Sequence, residues 1–107
     1  MPNIYKLSQE VSQLEQFEQL VAGKNIQIEH IISTGQTTPS GQLYDQTTDE
    51  WVILLQGEAE LSYADDTRIK LKAGDYLLIP AHTKHRVEYT SIAPACIWLA
   101  VHGQLSS

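Results

Sequence analysis

Apolar and polar positions divide the chain into two regimes. Over residues 8–22, Val11, Leu14, Phe17 and Val21 recur at three- and four-residue spacing, the single stripe of an amphipathic helix. Ser8 is placed to cap a first turn, and Glu10 carries the sign preferred near a helix start. Gly23 followed by Lys24 suits the helix end. The pattern predicts a short helix inside an N-terminal segment, residues 1–24, packed on the outside of a barrel built by residues 25–107.

From residue 25 the period shortens to two. Ile26, Ile28 and Ile32 alternate with Gln27, Glu29 and Ser33, which predicts a half-buried strand. His30 shares the isoleucine parity, and the strand end leaves it exposed. Gly35 to Gly41 is a loop by composition. Trp51 to Leu55 is a continuous apolar run stopped by Gly57, as expected of a strand buried on both faces. The stretches Glu58–Tyr63, Arg68–Lys72, Tyr76–Ile79, Arg86–Tyr89 and Ile97–Val101 follow. Turns at Asp65-Asp66-Thr67 and Ala73-Gly74-Asp75 separate them, and Pro80 ends one. Short, regularly spaced strands after one early helix predict an all-β antiparallel barrel or sandwich.

The 107 residues suit one domain, and 42% hydrophobic residues can fill one core without a staple. A net charge of −6 repels phosphate backbones, which argues against nucleic-acid binding. The single cysteine, Cys96, lies in an apolar run and reads as a small core residue. No stretch has the length or hydropathy of a signal peptide or membrane span, so a cytoplasmic location is the default expectation.

Two motifs then narrow the fold. Glu50 is followed by six residues and Gly57. Gly74 is followed by five residues and Pro80, with His85 five positions further on. With these spacings, Tyr44 to His85 resembles the two motifs of the cupin superfamily. The wording Pro80 to Glu88 and the ending Trp98 to His102 resemble one subgroup of small cupins. The resemblance spans about residues 25–103 and implies a cupin-type jelly roll, the double-stranded β-helix, over the barrel region. It also implies a homodimer, for which the outward apolar residues Trp51, Ile53 and Leu55 are suited.

The resemblance has consequences for chemistry. In metal-binding cupins two histidines precede the motif glutamate, and the matching positions here hold Tyr44 and Gln46. Glu50 and His85 remain. Tyr44, Gln46 and Glu50 share strand parity, which places them on one face, inside the barrel by resemblance. His82 lies in the loop at the barrel mouth. His102 would stand opposite His85 if a hairpin turn is centred between Ala93 and Pro94. A one-residue slip would turn it outward.

Two functions stay open. Glu50 and His85, with His82 or His102, would form a two-histidine, one-carboxylate set for a divalent metal: iron, manganese, nickel or zinc. Glu50 and His85 would then also be the candidate catalytic residues, and the family's isomerases, dioxygenases and decarboxylases offer no single choice of reaction. Alternatively, Tyr44, Gln46, Glu50 and His85, with Trp98 near the mouth, would hydrogen-bond an organic ligand without metal. In both cases the expected partner is a small molecule rather than nucleic acid or membrane.

Overall fold

A computed structural model describes residues 1–6 and 14–105. The described residues form eight strands: β1 (Gln16–Ala22), β2 (Ile26–Ser33), β3 (Asp49–Gln56), β4 (Glu58–Tyr63), β5 (Arg68–Lys72), β6 (Tyr76–Ile79), β7 (His85–Thr90) and β8 (Cys96–Gly103). A five-stranded sheet has the order β1-β2-β8-β3-β6, and a three-stranded sheet the order β5-β4-β7. Every pairing is antiparallel. No helix among the described residues is long and apolar enough to cross a membrane.

Residues 16–22 correct the expected N-terminal helix. They form edge strand β1, paired to β2 from Gln16↔Ile32 to Ala22↔Gln27. Helix propensity is a weak preference, and the open edge of β2 offers alternate β1 backbone groups partners while tying the segment to the sheet, which a short isolated helix cannot match. Gly23 therefore turns a hairpin corner rather than ending a helix. Residues 8–13 of the expected helix lie outside the described residues. A register shift between Gln19 and Val21 interrupts the β1–β2 ladder.

The core lies between the sheets. Val52 and Leu54 enter it from β3, Ala59 and Leu61 from β4, Leu71 from β5 and Ile79 from β6. Cys96, Trp98 and Ala100 enter from β8. Cys96 is buried and free, as its apolar setting predicts. The run Trp51–Leu55 departs from the expectation of double burial. Its alternate residues Trp51, Ile53 and Leu55 are only half-buried, on the sheet's outer face.

β2 also inverts the expected hydrophobic assignment. The residues turned inward are Glu29 and Ile31, whereas Ile28, His30 and Ile32 occupy the opposite parity. His30 is nevertheless buried, with Nδ1 3.7 Å from Glu18 on the neighbouring strand.

The motif glycine Gly57, between β3 and β4, has φ +93°. A Cβ there would lie 2.8 Å from Ser91 Oγ and 2.9 Å from Cys96 Sγ. Only glycine combines that backbone conformation with so close an approach of the 91–96 loop.

Candidate functional site

One end of the space between the sheets is not filled by core side chains. It holds a cavity of about 150 Å³, walled by aliphatic residues such as Val52, Leu61 and Val87 and by the polar groups Glu15, Glu29, Tyr44, Gln46, Glu50, His85 and His102.

Each polar group is held by identifiable backbone geometry. Glu50 is the second residue of β3, paired to Ile79 on one side and His102 on the other. Its neighbour Asp49 accepts hydrogen bonds from the amides of Ala81 (2.8 Å) and Leu105 (2.9 Å), fixing the start of the strand against two other segments. His85 opens β7. Its Nδ1 is 2.8 Å from the Thr83 carbonyl, which can only accept, so Nδ1 carries the hydrogen and Nε2 is left facing the cavity.

Tyr44 and His85 exchange backbone hydrogen bonds of 2.7 and 3.1 Å, and their rings are 5.6 Å apart. Gln46 is anchored through its carbonyl, which accepts from the His82 amide at 2.8 Å. Trp98 donates its indole N–H to Ser33 Oγ at 3.2 Å, and Ser33 donates in turn to Glu15.

The chemically distinctive feature is a row of alternating carboxylates and imidazoles. His102 Nε2 lies 3.4 Å from Glu29 Oε2 and 3.7 Å from Glu50 Oε2, while His85 Nε2 lies 4.0 Å from Glu50 Oε1. Glu50 is 9% exposed, and no described group lies within hydrogen-bonding distance of its carboxylate. Burial raises its pKa above the ordinary carboxylate range. His102 and His85 pull it back down, and the Glu29 charge adds to the rise. Glu15 is raised by burial, against its hydrogen bond from Ser33 and with the Glu29 charge. Burial likewise raises Tyr44, with Glu15 and Glu50 adding to the shift and a Thr38 hydrogen bond opposing it.

Tyr44, Gln46, Glu50, His85, Trp98 and His102 all line this cavity. Their convergence has other causes than strand parity alone. β3 begins only at Asp49, and Tyr44 is an isolated bridge to His85, so Tyr44 and Gln46 are brought inward by loop contacts. His102 faces inward through pairing with Glu50 and Gln27, not with β7 as the hairpin argument supposed. β7 and β8 belong to different sheets, and His85 and His102 approach the site from opposite walls.

His82 does not join them. Its side chain is 67% exposed, with Nδ1 3.1 Å from Asp45 Oδ1, and the residue has a positive φ of 62°. The carboxylates Glu15 and Glu29 and the ring of Phe17 are cavity residues that the sequence pattern did not signal. Glu15 and Phe17 fell inside the expected helix, and Glu29 on the face of β2 expected to be solvated. Glu29, Gln46 and His102 also border a surface depression with Asp45, Thr47 and Thr48, which places them where the cavity opens.

A metal centre requires three or more donors about 2.0–2.3 Å from a single point. Among the described residues, no three His, Cys, Asp or Glu side chains form a group that could hold a metal ion. Glu29, His102, Glu50 and His85 are linked pairwise by gaps of 3.4, 3.7 and 4.0 Å. Tyr44 and Gln46 stand where the family's two further histidines would complete the set, so the residues present do not reproduce the family's four-ligand set.

Comparison with known proteins bears on the same region. A family model described as a cupin domain matches residues 29–102. A crystal structure from Ralstonia eutropha JMP134, of a protein provisionally named a mannose-6-phosphate isomerase, is 36% identical. It superposes with a TM-score of 0.91 over 97% of each chain. A cupin superfamily protein from Desulfitobacterium hafniense DCB-2 is 21% identical, with a TM-score of 0.75 over 91% of this chain and 84% of that one. An RmlC-like cupin with a double-stranded β-helix fold from Methanocaldococcus jannaschii is 19% identical, with a TM-score of 0.71 over 97% and 92%. No protein of curated function matches the chain.

Proposed function

The chain belongs to the cupin domain family, and on that premise we propose that its barrel binds a small organic molecule directly, gripped by Glu50, His85 and His102 without a resident metal. The observation that carries this reading is the state of Glu50. Glu50 is only 9% exposed, its carboxylate lines the cavity, and its imidazole neighbours stand 3.7 and 4.0 Å away, too far to bond it, which leaves the carboxylate open to a ligand. A ligand's polar groups seated on the cavity side of these atoms, about 3 Å from each, would bond all three. Tyr44 and Gln46, in place of metal-binding histidines, add hydrogen-bonding groups beside them. The apolar walls would exclude water around such a ligand.

A second reading comes from the Ralstonia relative. Glu50 has a raised pKa and imidazoles on two sides, the equipment for moving a proton between neighbouring atoms of a bound substrate. That chemistry would serve an isomerase. The named substrate fits less well: the lining contains no Lys or Arg to meet a phosphate.

The test has two arms. Protein purified without chelator or nickel resin is expected to hold well under one equivalent of any transition metal. A small-metabolite screen by thermal shift is expected to give hits that His85→Ala and Glu50→Gln abolish. Stoichiometric metal that is lost in His85→Ala would restore the metal-centred alternative. Conversion of mannose 6-phosphate, abolished by Glu50→Gln, would replace direct binding by isomerisation.

A further inference from the structure

The cavity carries a charge imbalance. Three carboxylates, Glu15, Glu29 and Glu50, line it against two imidazoles and no Lys or Arg. Even with His85 and His102 both protonated, three ionised carboxylates would leave one negative charge unmatched. The rings of Phe17, Tyr44 and Trp98 line the same space. We propose that the cavity selects a small organic ammonium ion, held by these carboxylates and packed against these aromatic faces. This rests on the reading of the cavity as a direct small-molecule site.

Several independent features converge on that chemistry. The cation–π attraction of an aromatic face is greatest where water is excluded, which favours Trp98 (5% exposed) over Phe17 (59%) and Tyr44 (42%), and a carboxylate close by adds to it. Glu50, 9% exposed, and His85, 5% exposed, both line the space, and the Glu50 carboxylate and His85 Nε2 stand 4.0 Å apart with no hydrogen bond between them, so both atoms are open to a ligand. The carboxylates lie around the cavity instead of converging on one point. Glu15 is tied to the Trp98 side through Ser33, and Glu29 stands at the opening beside His102. A distributed negative charge suits a diffuse cation such as an alkylammonium better than a compact metal ion.

Burial raises Glu15, Glu50 and Tyr44 alike, and the neighbouring negative charges add to each shift. A bound cation would relieve all three. A net charge of −6 on the whole chain also favours the approach of cations.

Three compact branched probes of different charge test the proposal on the intact chain. Tetramethylammonium, neutral tert-butanol and anionic pivalate would each be titrated into nitrogen-15-labelled protein, following the Trp98 indole resonance and the cavity amides. Tetramethylammonium is expected to shift these resonances saturably. tert-Butanol should bind at least tenfold more weakly and pivalate not at all. Glu50→Gln, with its fold checked by the dispersion of its amide spectrum, should weaken tetramethylammonium at least fivefold. Phe17→Leu should weaken it while leaving the tert-butanol response unchanged.

Equal binding of tert-butanol or pivalate would overturn the ammonium preference. So would indifference to both substitutions, or manganese(II) broadening the same resonances and displacing the ammonium ion. Failure of all three probes alongside cavity-dependent hits in the metabolite screen would overturn the ammonium proposal and leave the direct-binding reading standing. Failure of the screen as well would remove both.

Discussion

At Glu50 a carboxylate is mostly buried at the cavity wall, and burial lifts its pKa despite the opposing pull of His102 and His85. The folded chain therefore holds this proton more tightly than the unfolded chain does. The resulting contribution to stability is fully present below the ordinary carboxylate range and is lost as pH rises through the raised folded-state value. Glu15 acts with the same sign. Glu50→Gln removes one such titration. In urea unfolding, the variant's stability relative to wild type is expected to rise steadily from acid to neutral pH. A difference independent of pH would show that Glu50 is not held in this state. The same substitution should weaken a cavity ligand by about 1.5–3 kcal/mol, the usual contribution of a hydrogen bond to a charged group. A gain in stability with a loss in binding would identify Glu50 as a residue kept for function.

Among the elements, the β3–β4 connection is the most tightly constrained. Gly57 combines φ +93° with contacts under 3 Å awaiting any Cβ, from Ser91 Oγ and Cys96 Sγ. Gly57→Ala should cost about 2–4 kcal/mol, from a left-handed backbone and an overpacked neighbour together. Gly41 provides the control. It has φ +80° with nothing within 4 Å of a Cβ, so Gly41→Ala should cost only the backbone part, about 1–2 kcal/mol. Equal midpoint shifts for the two variants in urea would contradict the packing argument. The glycine was legible in the sequence as a motif position, but its physical reason was not. Ser91 and Cys96 lie more than thirty residues away along the chain, and only the fold brings them against it.

For the molecule as a whole, the outer face of the five-stranded sheet stands out. Trp51, Ile53 and Leu55 are half-buried there. Tyr76 (68% exposed) and Leu78 (40%) extend the apolar surface across β6, with the Trp51 and Tyr76 rings 5.7 Å apart. The continuous apolar run of β3 needs a cover on this side as well as the core. We propose that a second copy of the chain supplies it. Light scattering after size exclusion should then give twice the 12.0 kDa chain mass, and Trp51→Glu should give a monomer. A monomeric wild type at micromolar concentration would remove the dimer.

The sequence alone determined the strand set from β2 onward and the cupin fold. Period-two patterning, turn residues and motif spacings are local signals, and each survives in the chain without knowledge of its neighbours. It also singled out Glu50 and His85 as a pair. Tertiary structure decided everything that depends on pairing. The stripe Phe17–Val21 was compatible with a helix, and the open edge of β2 made residues 16–22 a strand. Alternation along β2 was legible, but not which face meets the cavity, since a shift of one residue exchanges the two. Pairing with β8 then set Glu29 beside His102, and pairing of β8 with β3 set His102 beside Glu50. It also left His82, beside Asp45, outside the site. A side chain's meeting partners across a barrel are fixed by long-range register, and no short stretch of sequence encodes that register.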